Sequence, residues 1–318
     1  MSVRFCGLEL AHPVINGSGT FDALAARRAF GERLIEDFPF SAYVSKTITL
    51  RPRAGNPPPR LWEAPAGLIN SIGLPNKGLD GYLDEDLPQL AALTAAARPA
   101  VGAIDGAGER APVPLITNVM GATAEELCRL VEACEQRAEI AAVELNVSCP
   151  NVQTGLDIGA DPRMLEEVVR AVRARTAKPL IVKLTPNTAD VAVCAQAAEH
   201  AGADSVSLIN TLRATALTPR APARAGLGAR SGEADARRPW LGGGSGGLSG
   251  PAIRTVALAQ VAAVSASVAI PVIGMGGVQS AEHARQMIDV GATLVAVGTE
   301  SFRDPAVGAR IARGLCGL

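Results

Sequence analysis

The 318-residue chain is 48% hydrophobic and 19% charged with a formal net charge of -1, so it can bury a large core but carries no global field to hold a polyanion. Nucleic acid and anionic membrane surfaces are thereby excluded as expected partners. Its 33 glycines and 22 prolines exceed average usage without reaching low-complexity levels, which reads as a globular chain rich in turns.

Met1-Ser2-Val3-Arg4 lacks an apolar h-region, and the most apolar stretch, Ala266 to Val278, is broken by Pro271 well short of the ~18 residues a membrane span needs. The expectation is a soluble, unprocessed, cytoplasmic protein. Six cysteines without a C-x-x-C and three lone histidines offer no ligand cluster, so neither a metal site nor an iron–sulfur centre is expected in this chain.

In chain order, eight short apolar runs read as strands: Val14-Ile15, Tyr43 to Ser45, Leu115 to Thr117, Val143 to Leu145, Leu180 to Val182, Val206 to Ile209, Val272-Ile273 and Leu294 to Val297. Helical patterns alternate with them. Thr123-Ala124-Glu125-Glu126 is a capping box followed by an apolar stripe of Leu127, Leu130, Val131 and Cys134. Asp161-Pro162 opens the next helix, with Leu165, Val168, Val169 and Val172 as its buried face. Repeated strand-helix units with fully apolar strands imply a parallel sheet covered on both faces. Eight of them predict an α/β fold of the (βα)8 TIM barrel type, one domain over residues 1–318, with an open doubly wound sheet as the alternative. Two excursions interrupt the repeat at about residues 49–86 and 211–250. The first reads as a long, proline-stiffened loop; the second is rich in Arg, Ala and Gly, and a disordered insertion is plausible only for Ala214 to Arg238.

Chemistry-bearing residues concentrate at strand ends. Cys149 stands in Asn146-Val147-Ser148-Cys149-Pro150-Asn151, between carboxamides, where a thiol could act as acid, base or nucleophile; a buried structural thiol is the bland alternative. Lys46-Thr47, Asn118, Asn146, Lys183 and Asn210-Thr211 follow other strands, and a barrel would bring them to one mouth. Taken singly, each lysine could be a solvated charge and each asparagine a turn cap. Glycine clusters at Gly246 to Gly250, Gly274 to Gly277 and Gly298-Thr299 point to a phosphate-bearing ligand, because glycine turns at helix starts present backbone N–H groups. No G-x-G-x-x-G follows the first strand, which disfavours a Rossmann site.

Together these residues resemble the dihydroorotate dehydrogenases, most closely the NAD-linked class IB catalytic subunit. The resemblance runs through Asn16 to Gly19, Lys46 to Thr49, Gly55-Asn56-Pro57, Asn70 to Asn76, Thr117 to Val119, Asn146 to Asn151, Lys183 to Asn187, Asn210-Thr211, Gly246 to Gly250 and Gly274 to Val278. Class II members carry a membrane-associating N-terminal extension and a serine at the position of Cys149, and the similar dihydropyrimidine dehydrogenases typically have histidine where Asn151 stands. The resemblance implies an FMN-binding barrel that oxidises dihydroorotate to orotate in pyrimidine synthesis, with Cys149 removing the C5 proton while hydride leaves C6 for flavin N5. Ser18, Lys46, Thr47, Asn118, Asn146, Lys183 and Ile209 would line FMN, and Gly250, Gly276, Gly277, Gly298 and Thr299 would bind its phosphate. Lys46, Asn70, Ser71, Ile72, Gly73, Leu74, Asn146, Asn151, Asn210 and Thr211 would meet the substrate. It also implies a homodimeric core and a partner subunit carrying FAD and an iron–sulfur cluster. Leu212 to Gly244 departs from the family pattern in being longer and richer in Arg, Ala and Pro. The rival readings are an FMN barrel acting on another dihydropyrimidine, a Schiff-base aldolase using Lys183, and a non-enzymatic phosphate-binding barrel.

Overall fold

All eight predicted runs form one parallel sheet in the computed structural model, which describes residues 2–101, 112–147, 158–218 and 237–318. Its N-terminal part contributes β1 (Val3–Phe5), β2 (Leu8–Leu10), β3 (Val14–Asn16), β4 (Tyr43–Val44), β5 (Leu61–Ala64) and β6 (Gly67–Asn70). The middle supplies β7 (Leu115–Val119), β8 (Ala142–Asn146), β9 (Leu180–Lys183), β10 (Ser205–Leu208) and β11 (Leu212–Ala214). Last come β12 (Gly246–Ser249), β13 (Val272–Met275) and β14 (Leu294–Val297). The large sheet runs β3-β14-β13-β10-β9-β8-β7-β4, with helices between its strands. Among these are α1 (Ala23–Phe30), α2 (Glu32–Glu36), α3 (Gly78–Gly81), α4 (Leu87–Ala96), α5 (Ala124–Glu135), α6 (Pro162–Arg173), α7 (Val191–His200), α8 (Arg254–Ser265), α9 (Ala281–Asp289) and α10 (Val307–Cys316).

This is a (βα)8 barrel, and its two end strands are fastened by a side chain. Between β3 and β4 the Ser41 N–H donates to Val14 O at 3.0 Å, and the Asn16 carboxamide takes over the next rungs. Its Nδ2 donates to Val44 O and its Oδ1 accepts from Val44 N, both at 2.8 Å. A carboxamide offers the same donor and acceptor pair as a peptide group, which is why asparagine suits this seam.

Period-two alternation divides the strand residues between two cores. Outward-facing Val143, Leu145, Leu180, Val182, Val206 and Val295 pack against the helices, where the predicted stripes of α5 and α6 are buried. Thr123 caps α5 by accepting from Glu126 N, and Asp161 caps α6. Inward-facing Ile15, Val44, Ile116, Ala142, Ile181, Ile273, Leu294 and Ala296 form the second core, completed by Phe5 and Leu10. Those two come from the β1–β2 hairpin, which plugs the N-terminal end of the barrel. Its turn holds Cys6 at φ 47° and Gly7 at φ 81°, and the Cys6 thiol reaches Asp204 O.

The excursions correct the sequence reading. Residues 49–86 are not a bare loop: they contain the β5–β6 hairpin and α3. Leu212–Ala214 and Gly246–Ser249 are strands of the same four-stranded antiparallel sheet, ordered β11-β12-β6-β5. Each excursion pairs its own two strands, and the β6–β12 ladder joins the two pairs into one sheet. Ile69, Ala216 and Leu241 form a small core beneath this sheet, and Trp62 and Trp240 meet edge to face at 5.3 Å. Of the insertion read as disordered, residues 219–236 lie outside the described residues.

Candidate active site

Inward-facing positions change character along the strands. Below, they are aliphatic; at the C-terminal ends they become Asn118, Glu144, Asn146, Lys183 and Ser207, all buried. Alternation puts Asn118 above Ile116, Lys183 above Ile181, and Glu144 and Asn146 above Ala142 on one inner wall. Glu144 joins three strands: its Oε2 accepts from Asn118 Nδ2 at 2.5 Å and its Oε1 from Ser207 Oγ at 2.7 Å. The Asn118 backbone N–H donates to Ser45 Oγ at 3.1 Å, while its side-chain Oδ1 is buried with no partner among the described residues. Glu144 and Lys183 are the only Asp, Glu, Lys or Arg side chains buried among the described residues, and Lys183 makes no ion pair there. Burying an ammonium without a counter-charge is costly, so an electron-rich group is expected beside it.

Ser18 and Thr47 meet at 3.2 Å between hydroxyl oxygens, with Ser18 Oγ also donating to Ser45 O at 2.9 Å. Lys46, between Ser45 and Thr47, is exposed at the mouth. Ile209 follows β10, its N–H donating to Met275 O at 2.9 Å.

The glycines gather on the other side. Gly250, Gly276 and Gly277 have φ of 91°, 130° and 69°, where a side chain is strained. A Cβ on Gly276 would lie 2.7 Å from Ala257 Cβ and 3.3 Å from Ile209 Cγ1; one on Gly277 would lie 2.9 Å from Gly250 O. Gly250 in turn borders Thr299, whose Cγ2 is 3.7 Å from its virtual Cβ, and Gly298 faces open space but for Thr20 Cγ2 at 3.8 Å. The ends of β12, β13 and β14 and the approach to α8 thus share one cradle. Gly246 and Gly247 do not belong to it. They are strand residues paired with Ala214, Arg213 and Asn70, and a Cβ on Gly247 would strike Thr211 Oγ1 at 1.9 Å.

The segment expected to meet substrate closes a third side. Asn70 Nδ2 donates to Gly247 O at 3.3 Å, and Ser71 Oγ donates to Ser245 O at 2.8 Å while accepting from Asn56 Nδ2 at 3.0 Å. Ile72 leads into Gly73 and Leu74, both at positive φ (73° and 54°), a turn held by Asn76 Nδ2 donating to Leu74 O at 2.8 Å. Asn210 Oδ1 accepts from Thr211 N, and Asn187 Nδ2 donates to Thr211 O at 3.0 Å. Asn56, Asn187, Glu144 and Ser207 were not singled out from sequence. The available signal was an acidic residue inside the apolar run Val143-Glu144-Leu145.

Cys149 and Asn151 lie outside the described residues. Among the described cysteines, burial pushes the Cys6 and Cys134 thiols up to about 12 and raises that of Cys194, the opposite of what a reactive thiol needs. No cluster of His, Cys, Asp or Glu among the described residues could hold a metal, and no helix among them is long and apolar enough to cross a membrane.

A family model described as dihydroorotate dehydrogenase matches residues 1–318. The chain is 41% identical over 316 residues to a protein of Geotalea daltonii named dihydroorotate dehydrogenase B (NAD(+)), catalytic subunit, covering 99% of this chain and 92% of the relative. A protein of the same name from Desulforudis audaxviator is 41% identical over 318 residues, covering 99% and 91%, and one from Geobacter sulfurreducens is 39% identical over 316 residues, covering 98% and 90%. These matches span every strand that builds the barrel and every side of its polar mouth, and on them the chain belongs to the dihydroorotate dehydrogenase family.

Proposed function

We propose that the chain oxidises dihydroorotate to orotate with FMN as its cofactor and Cys149 as the base, residues 1–318 acting as one barrel domain. As a member of this family it is an oxidoreductase of pyrimidine biosynthesis. The observation that supports FMN best is the buried Asn118 Oδ1, without a partner among the described residues, together with the buried Lys183 that makes no ion pair there and a glycine cradle that side chains would fill. Backbone N–H groups of Gly250, Gly276, Gly277, Gly298 and Thr299 would hold the phosphate, and Ser18, Lys46, Thr47, Asn118, Asn146, Lys183 and Ile209 the ring system. FMN, when bound, supplies N5 as the acceptor of the hydride from C6.

The chain's own residues do the rest. Cys149 takes the C5 proton, so proton and hydride loss together create the C5=C6 double bond of orotate. Lys46 offers a charge to the substrate carboxylate, while Asn70 to Leu74, Asn146, Asn151, Asn210 and Thr211 present donors and acceptors to the pyrimidine ring. The sheet shared by the two excursions would screen that face from water. A partner subunit carrying FAD and an iron–sulfur cluster completes electron transfer to NAD, around a homodimer of this chain in the cytoplasm.

The test is extraction of the chromophore from purified protein, followed by anaerobic addition of dihydroorotate. FMN that bleaches with substrate is expected; recovery of FAD refutes the cofactor, and a colourless folded protein refutes the reading and revives the Lys183 aldolase. The isolated chain should reduce NAD poorly, so rapid NAD reduction without a partner would sink the two-subunit scheme.

A further inference from the structure

We propose that Glu144 is a positioning residue that holds the Asn118 carboxamide by its NH2 group, leaving the amide oxygen as the acceptor offered to the ligand. The inference rests on the FMN reading above for the identity of that ligand.

An asparagine amide is nearly symmetric in shape, and either end could face a ligand. Its orientation is decided by its other neighbours. Here the neighbour is a carboxylate, which only accepts: Glu144 Oε2 takes a hydrogen from Asn118 Nδ2 at 2.5 Å, and Oε1 takes one from Ser207 Oγ at 2.7 Å. Both carboxylate oxygens are therefore engaged by donors on β7 and β10, and the side chain is only 3% exposed. Asn118 is itself fully buried and its backbone N–H donates to Ser45 Oγ, so the main chain is fixed and the Glu144 contact sets the side chain. Among the described residues, Asn118 Oδ1 is the one buried side-chain polar atom of this chain of contacts without a partner. A buried acceptor left unpaired costs free energy unless a donor arrives, so the network favours a ligand N–H at this point and rejects a ligand carbonyl.

Charge alone does not explain the arrangement. Lys183 is the only buried ammonium among the described residues, yet Glu144 spends its oxygens on neutral donors rather than on it. Glu144 thereby leaves Lys183 uncommitted while fixing the amide.

The test titrates FMN into flavin-free protein for four variants, with melting temperature recorded before flavin is added. Glu144→Leu removes the acceptor and is expected to weaken FMN binding about tenfold or more, as is Asn118→Ala. Glu144→Gln should stay within a few-fold of wild type, because its Oε1 can still accept from Asn118 while its Nε2 donates to Ser207 Oγ. In the Asn118→Ala background, Glu144→Leu should cost little further. Undiminished loss there, or a Glu144→Gln as weak as Glu144→Leu, overturns the assignment. Should Glu144→Leu fail to fold, wild-type protein labelled with 15N-asparagine decides it. The Asn118 NH2 resonance should be exchange-protected before FMN is added and move little on binding. An NH2 signal that becomes protected only with FMN faces the ligand, and the proposal is wrong. A wild type that binds no FMN would instead refute the flavin reading, and the flavin-free exchange measurement would still decide the role of Glu144.

Discussion

The two halves of the barrel interior are built by the same alternating strands and do opposite things. Toward the N-terminal end, inward positions are Ile15, Ile116, Ile181 and Leu294, sealed by Phe5 and Leu10. Two residues beyond Ile116, Ile181 and Ala142 stand Asn118, Lys183 and Glu144, with Asn146 two further on, and Asn118 has unsatisfied polar capacity. A two-residue step along a strand thus separates a packing layer from a binding layer. The lower half resists water; the upper half is arranged around something other than itself.

That contrast can be broken from either end. The largest effect is expected from the proposed base. Cys149→Ser should slow flavin reduction by dihydroorotate about 10²–10⁴-fold at neutral pH while FMN affinity changes little, as stopped-flow bleaching would report. An ordinary thiol titrates near 8.5, so wild-type bleaching should accelerate as pH rises through that range and the variant should not follow it. A variant within a few-fold of wild type would demote Cys149 to packing.

Below the barrel the expected loss is of stability. Phe5→Ala empties part of the plug and should cost about 3–5 kcal/mol in denaturant unfolding, with the bleaching rate of the surviving folded protein nearly unchanged. Loss of the rate in step with stability would show that the halves are not separable.

His12, at the same end, should make the fold acid-sensitive. Burial, assisted by the charge of the N-terminus, lowers its pKa from 6.5 to about 4, and Nε2 has no partner among the described residues. The unfolded chain therefore binds a proton below 6.5 that the folded chain refuses until about 4. Stability should be flat above pH 6.5 and fall by up to about 3 kcal/mol as pH drops toward 4, a slope that His12→Gln should flatten. An unchanged slope in that variant would place the sensitivity elsewhere.

The smallest effect belongs to the cradle. Gly277→Ala forces a Cβ into a positive φ beside Arg254 and Gly250, and should weaken FMN binding about tenfold while lowering the melting temperature of the still-folded flavin-free protein by a few degrees. Unchanged affinity would remove Gly277 from the phosphate site.

The sequence was most legible where interactions are local or periodic. All eight barrel strands stood out because burial on both faces demands unbroken β-branched runs, and the polar residues ending them were visible against that background. The β1–β2 hairpin was not, since its strands are three residues long and Cys6-Gly7 is a weak turn signal. The excursion sheet was hidden because the strand that joins β6 beyond its hairpin partner β5 is β12, some 180 residues away, and a glycine-rich strand looks like a turn. Glu144 escaped for a related reason: its donors lie on β7 and β10, and only the closed barrel brings them together.

The four-stranded sheet has ends at two different places. β12 runs into Gly250 of the glycine cradle, while β6 runs into Asn70-Ser71 and begins beside that cradle, with Ala252 N–H donating to Ala66 O at 2.8 Å. A ligand that restrains one end would thereby restrain the other before a second ligand arrives. Such a shared loss of entropy is a coupling free energy, and coupling is reciprocal: whatever factor the cofactor adds to the affinity for the pyrimidine, the pyrimidine returns to the cofactor.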